Sequence, residues 1–180
     1  MTGQVRVLTT RETSPPLLAD VHQLLREAFE GDFSDYDWEH THGGWRVIAL
    51  DDDSSAPVSH AAVVPRRIQV GDTSFRAGYV EGVATKPDRQ GEGLGRLVMT
   101  EVSRLLHREF ELGVLATAAH GFYERLGWER WQGPTFVDDG SRLVRTADED
   151  DGIMVLRVAP SDDIDLTGPI SCQGRSGDDW

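Results

Sequence analysis

The chain has 180 residues, enough for one domain with a hydrophobic core and too few for two of ordinary size. Its 31 acidic against 18 basic side chains leave a formal net charge of -13, which argues against nucleic acid and anionic membrane as partners, since phosphate-dense surfaces need neutralising Lys and Arg. A cationic ligand would be attracted, although excess acid also serves simply to keep a small domain soluble, so the placement of the acids must decide.

Residues 4–9 alternate as an edge strand does. The ten residues at the start lack the charged beginning and apolar run of a signal peptide, and no later stretch is long enough to span a bilayer, so a cytoplasmic protein is expected. Ser14-Pro15-Pro16 has the form of a helix start, and Leu17, Leu18, Val21, Leu24, Leu25, Ala28 and Phe29 recur at helical spacing up to Gly31. Residues 32–43 are polar and aromatic without clear period, and are read as a loop with at most one helical turn. Then residues 45–50, 58–70 and 74–85, separated by an Asp51-Asp52-Asp53 turn and a Gly71-Asp72 turn, form an antiparallel meander.

From Gln90 the period changes to 3.6, with Leu94, Leu97, Val98, Val102, Leu105 and Leu106 on one face. Residues 112–117 read as a short buried strand, 118–126 as a short helix ended by Gly127, and 128–131 as another strand. An acidic loop over 138–152, a final strand over 152–158 and a polar tail over 160–180 complete a single domain. Cys172 is the only cysteine, which rules out an intramolecular disulfide or a cysteine-based zinc site. The six histidines show no metal-ligand spacing and are assigned to surface or packing, so no metal is expected.

The stretch from Val83 to Val98 carries the chemistry. A strand runs through a glycine-rich turn into the longest helix, and such a turn lets successive backbone amides approach an anion where the helix adds unpaired donors and its positive dipole end. Lys86, Arg89 and Arg96 flank it on a chain that is otherwise acidic, which implies a specific anionic ligand. There is no GxxxxGK[ST], and the spacing of Gly91, Gly93 and Gly95 is not GxGxxG, which argues against ATP and dinucleotides as ligands.

Gln90-Gly91-Glu92-Gly93-Leu94-Gly95 resembles the Q/R-x-x-G-x-G/A pyrophosphate loop of the GNAT acetyltransferases, which also follows a fourth strand and opens a long helix. Tyr123-Glu124-Arg125-Leu126-Gly127-Trp128 is similar to a second element of that family. The resemblance implies an α/β (α+β) fold whose mixed central sheet, flanked by helices, splays between the fourth and fifth strands. It implies acetyl-CoA as co-substrate, with backbone groups of Val83, Ala84 and Thr85 along the pantetheine arm and amides of Gln90, Gly91, Glu92, Gly93, Leu94 and Gly95 at the pyrophosphate. An amine that is protonated at neutral pH needs a base and the departing thiolate needs an acid. Glu81, in a central strand where a polar group needs a reason, is taken as base through water, and Tyr123 as acid by the family position.

Within that family the chain resembles the aminoglycoside 2′-N-acetyltransferases. The segments that carry this likeness are 31–33, 37–41, 78–84, 131–135, 150–152 and 177–180. The resemblance implies an acceptor site of Asp32, Asp37, Glu81, Gly82, Thr117, Asp151, Asp178 and Trp180, with Asp179 a further candidate. The 160–180 tail would fold over the acceptor cleft, and a homodimer is expected. Carboxylates accept charge-assisted hydrogen bonds from ammonium groups, in keeping with a polycationic sugar. Two other readings stay open: a GNAT enzyme for another cationic amine, such as a polyamine, an amino-sugar metabolite or a protein N-terminus, and a binding module without catalysis.

Overall fold

The computed structural model describes residues 4–180. In chain order it contains β1 (Gln4–Thr9), α1 (Pro15–Ala28), α2 (Asp35–His40), β2 (Trp45–Leu50), β3 (Pro57–Val70), β4 (Thr73–Thr85) and α3 (Leu94–Glu109). Then follow β5 (Leu112–Ala116), α4 (His120–Glu124), β6 (Glu129–Arg130), β7 (Thr135–Asp138), β8 (Leu143–Arg145), β9 (Ile153–Arg157) and β10 (Ile170–Gln173). These elements divide into two units, one reaching to Val64 and including Val80–Arg104, the other made of Pro65–Tyr79 and Leu105–Trp180. Strands β3 and β4 and helix α3 contribute residues to both.

In the first unit β1, β2 and the amino-terminal part of β3 pair antiparallel, with Val7 opposite Val47 and Val47 opposite Ala61. Helix α1 starts at Pro15 and Pro16, which need no amide partner in the first turn, and ends before Gly31 at φ +86°. Its apolar stripe buries Val21 and Leu25 against Ile48, Leu50 and Ala84, with Phe33 and Trp38 packed on the same cluster. Helix α2 occupies the segment read as a loop. It is short and polar, so periodicity could not mark it, but Ser34 and Asp37 close a capping box at its start.

In the second unit the strands run in the order β6-β9-β5-β4-β3-β10-β7-β8. Strands β4 and β5 are parallel and pair only from Ala77 and Leu112 to Tyr79 and Val114, short of the carboxyl ends of both, as a sheet that parts between its fourth and fifth strands requires. Gly78 and Gly113 sit opposite each other in that register. A Cβ on Gly78 would lie 2.3 Å from Leu106, and one on Gly113 2.8 Å from the same side chain, so only glycines let the end of α3 sit this close to the strands.

Two segments differ from the sequence expectation. The 138–152 loop contains β8, which pairs antiparallel with β7, and the 160–180 tail contains β10, which lies between β3 and β7 and is parallel to the latter. Ile170, Ser171 and Cys172 are all buried. The strand is only four residues long, and the apolar-polar alternation of Ile-Ser-Cys-Gln is too short to mark a strand within a polar tail. No helix among the described residues is long and apolar enough to cross a membrane.

Candidate active site

The first unit carries the glycine-rich turn. Gly91 and Gly93 have φ of +82° and +84°, and a Cβ at either would meet nothing within 4 Å, so their backbone faces open space. Helix α3 begins at Leu94, with Leu97 N–H donating to the Gly93 carbonyl as its first turn closes; the amides just before lack helical acceptors and suit an anion. These features fit a diphosphate. The positive charge expected around the turn is partly compensated, because Arg89 donates to Asp51 at 2.7 Å and to Glu92 at 2.9 and 3.0 Å. Both carboxylates raise the Arg89 guanidinium above its ordinary value, and Arg89 leads the causes that hold Asp51 well below the usual carboxylate range. Arg89 therefore braces the turn against the β2–β3 loop.

Just upstream, Glu81, Gly82, Val83, Ala84 and Thr85 follow one another at the end of β4. Glu81 is half-buried. The Ser59 hydroxyl donates to the Ala84 carbonyl at 2.9 Å and lies 2.9 Å from Thr85 Oγ1, while Gln90 Nε2 donates to the Thr85 carbonyl at 3.4 Å. Gly82 has φ +55°, and its carbonyl lies 2.8 Å from His60 Nδ1. His60 Nε2 in turn lies 3.2 Å from Arg46 Nη1, and Arg46 Nη2 donates to Thr41 Oγ1 at 3.0 Å. Burial, then the Arg46 charge, pushes the His60 imidazole down to about 3 against the pull of the Gly82 carbonyl.

Of the acceptor residues expected from sequence, Asp32 and Asp37 are also in this unit. Asp32 is exposed. Asp37 Oδ2 already accepts from the Ser34 amide and hydroxyl, each at 2.7 Å, so part of its capacity is spent on the start of α2.

The second unit holds Tyr123, Thr117, Asp151, Asp178 and Trp180. Tyr123 is buried at 7 % exposure, edge-on to Phe122 and Trp128, and burial pushes its phenol up to about 12, which keeps the proton on it through the neutral range. The turn after α4 is closed by amides of Leu126, Trp128 and Gly127, the last at φ +88°. Thr117 is fixed by its amide on the Gly152 carbonyl and by its hydroxyl accepting from Ala119 N–H. Asp151 and Asp178 are exposed, whereas Trp180 is 4 % exposed and donates through Nε1 to Thr146 Oγ1 at 3.2 Å. Asp179 is spent on the tail itself, where its Oδ1 accepts from Arg175 N–H.

Sequence reasoning missed three residues. Arg46 and His60 had been assigned no role beyond packing or surface; the signal was a cation and an imidazole within the mostly apolar runs of residues 45–50 and 57–64. Glu149 is the third: half-buried, its carboxyl is raised by desolvation and then by Asp178 and Asp148. Its neighbour Asp150 is structural, accepting from Arg145 and from the Thr135 amide and hydroxyl, which draws its carboxyl down to about 2.

Residues 9–131 match the profile of an acetyltransferase (GNAT) domain. Over 179 residues, covering 97 % of this chain and 91 % of the relative, the sequence is 40 % identical to an aminoglycoside 2′-N-acetyltransferase of Mycolicibacterium fortuitum. Among solved structures, a GNAT family N-acetyltransferase of Escherichia coli in complex with CoA superposes with a TM-score of 0.70 at 18 % identity, covering 98 % of this chain and 94 % of that one. A GNAT family acetyltransferase of Brucella melitensis in complex with acetyl-CoA superposes with a TM-score of 0.60 at 18 % identity, covering 93 % and 95 %.

Proposed function

Because this chain belongs to the GNAT acetyltransferase family, we propose that it moves the acetyl group of acetyl-CoA onto the 2′-amine of an aminoglycoside. The observation that carries the choice of acceptor is the 40 % identity, over nearly the full length of both chains, to an enzyme named for that reaction. Supporting it are carboxylates at Asp32, Asp37, Glu149, Asp151 and Asp178, which suit a polyammonium ligand.

In this mechanism the amides of Gln90 to Gly95 hold the diphosphate and the backbone of Val83 to Thr85 orients the pantetheine and the thioester. Much of the rate comes from this positioning. Glu81 takes a proton from the sugar ammonium through water, the freed nitrogen attacks the thioester carbonyl, and the carbon–sulfur bond breaks as the amide forms. Tyr123, held as the protonated phenol by burial, gives its proton to the departing thiolate. The C-terminal tail with Trp180 completes the acceptor site, and the enzyme acts in the cytoplasm as a homodimer.

The test is to incubate the protein with acetyl-CoA and a panel of aminoglycosides, polyamines and amino-terminal peptides, and to identify products by mass. A mono-acetylated aminoglycoside is expected. Acetylation of polyamines or peptides alone would move the acceptor to another class.

A further inference from the structure

Arg46 and His60 are fully buried at 0 % exposure, and among the described residues no carboxylate pairs with Arg46, whose Nε has no hydrogen-bond partner. Its guanidinium is met by the Thr41 hydroxyl, by His60 and by the Trp38 ring, 4.8 Å from the ring centre. A cation so placed is costly.

The direction of the hydrogen bonds follows from chemistry. A guanidinium only donates, so His60 Nε2 must accept from Arg46, and a neutral imidazole then carries its proton on Nδ1. That proton points at the Gly82 carbonyl, 2.8 Å away. Arg46 thus selects the tautomer that makes His60 a donor. The recipient is the residue at which β4 passes through left-handed backbone, and a side chain there would be both strained and crowded: φ is +55°, and a Cβ would lie 3.1 Å from the methyl of the same Thr41 that binds Arg46.

We infer that Arg46 and His60 are positioning residues, which fix the Gly82 carbonyl and thereby set the aim of the adjacent Glu81 carboxylate at the incoming amine. Ser59, the preceding residue of β3, holds the Ala84 carbonyl instead. Neighbouring side chains of one strand therefore serve two partners, Ser59 the cofactor stretch of β4 and His60 the acceptor stretch. The inference rests on the assignment of Glu81 as base for its kinetic arm only.

Two variants separate the donor from the acceptor of the imidazole. His60→Asn keeps an N–H donor where Nδ1 stands, whereas the longer His60→Gln carries its amide to the position of Nε2 and leaves no donor at that of Nδ1. We expect His60→Asn to retain turnover, and His60→Gln to lower kcat for the amine by roughly tenfold to a hundredfold, with the KM for acetyl-CoA and the melting temperature close to those of His60→Asn. Ser59→Ala is expected to show the reverse, a raised KM for acetyl-CoA with kcat retained. Equal kcat in the Asn and Gln variants, or a loss in kcat matched by loss of the fold, would overturn the inference. Independently of any acceptor, 15N NMR of the unmodified protein should find His60 neutral with its proton on Nδ1, and hydrogen exchange across residues 80–84 should quicken in His60→Gln but not in His60→Asn. A proton on Nε2 at neutral pH, or unchanged exchange in both variants, would refute it even if the proposed acceptor proved wrong.

Discussion

At the turn between β4 and α3 the groups proposed to meet the cofactor are backbone amides, set by two glycines at positive φ and the open end of a sixteen-residue helix. Between Thr146 and Trp180 the groups proposed for the acceptor are side chains, Glu149, Asp151 and Asp178, in a segment whose Trp180 is buried. The first arrangement would bind whatever carries a diphosphate and be indifferent to the rest of the molecule. The second would read the number and placement of positive charges. On the proposed function, cofactor binding and acceptor choice use different parts of the peptide, and they should respond differently to mutation.

The largest expected effects belong to neither region but to the two groups proposed to transfer protons. Glu81→Gln and Tyr123→Phe should each lower kcat by about a hundredfold or more while calorimetric affinity for acetyl-CoA stays near the original; retained turnover in both variants would remove these groups from the mechanism. Next comes the turn. Gly93→Val forces a branched side chain into left-handed backbone and should weaken acetyl-CoA roughly tenfold, measured by calorimetry, with the acceptor KM little changed. Smaller still, Glu149→Gln combined with Asp178→Asn should raise the acceptor KM by roughly threefold to tenfold and flatten its dependence on salt, leaving acetyl-CoA affinity alone. If the turn and acid variants shift both affinities equally, the division between the regions is wrong.

The smallest effect at neutral pH concerns His60. Its imidazole is held near 3 in the fold against an ordinary 6.5, so between those values the unfolded chain binds a proton that the folded chain does not. Stability then falls as pH drops through that window, and His60→Asn should flatten the slope by up to about 1.4 kcal/mol per pH unit, read from urea unfolding at several pH values. Identical slopes would place the His60 proton elsewhere.

The parts legible in the sequence are those with a period or a steric requirement. Helices α1 and α3 followed from apolar spacing, the strands of the meander from their turns, and the glycine turn from residues that alone tolerate its backbone. Strand β10 was not legible, because four residues are too few to show a period, and Ile170, Ser171 and Cys172 are buried by pairing with β3 and β7, which are distant in sequence. Arg46 and His60 escaped for a related reason: a polar residue in an apolar strand signals only that something is paired, and the partner is chosen by register, here Ile48 opposite His60. Composition does not tell Asp150 from Asp151; the resemblance singled out Asp151, and the Arg145 and Thr135 contacts mark Asp150 as the structural carboxylate of the two.

The most direct measurement of the central claim is thiol release from acetyl-CoA with paired aminoglycosides that differ only in bearing an amine or a hydroxyl at the 2′ carbon. The account predicts turnover with the amine and none above background with the hydroxyl. Equal rates for the two members of a pair would contradict it.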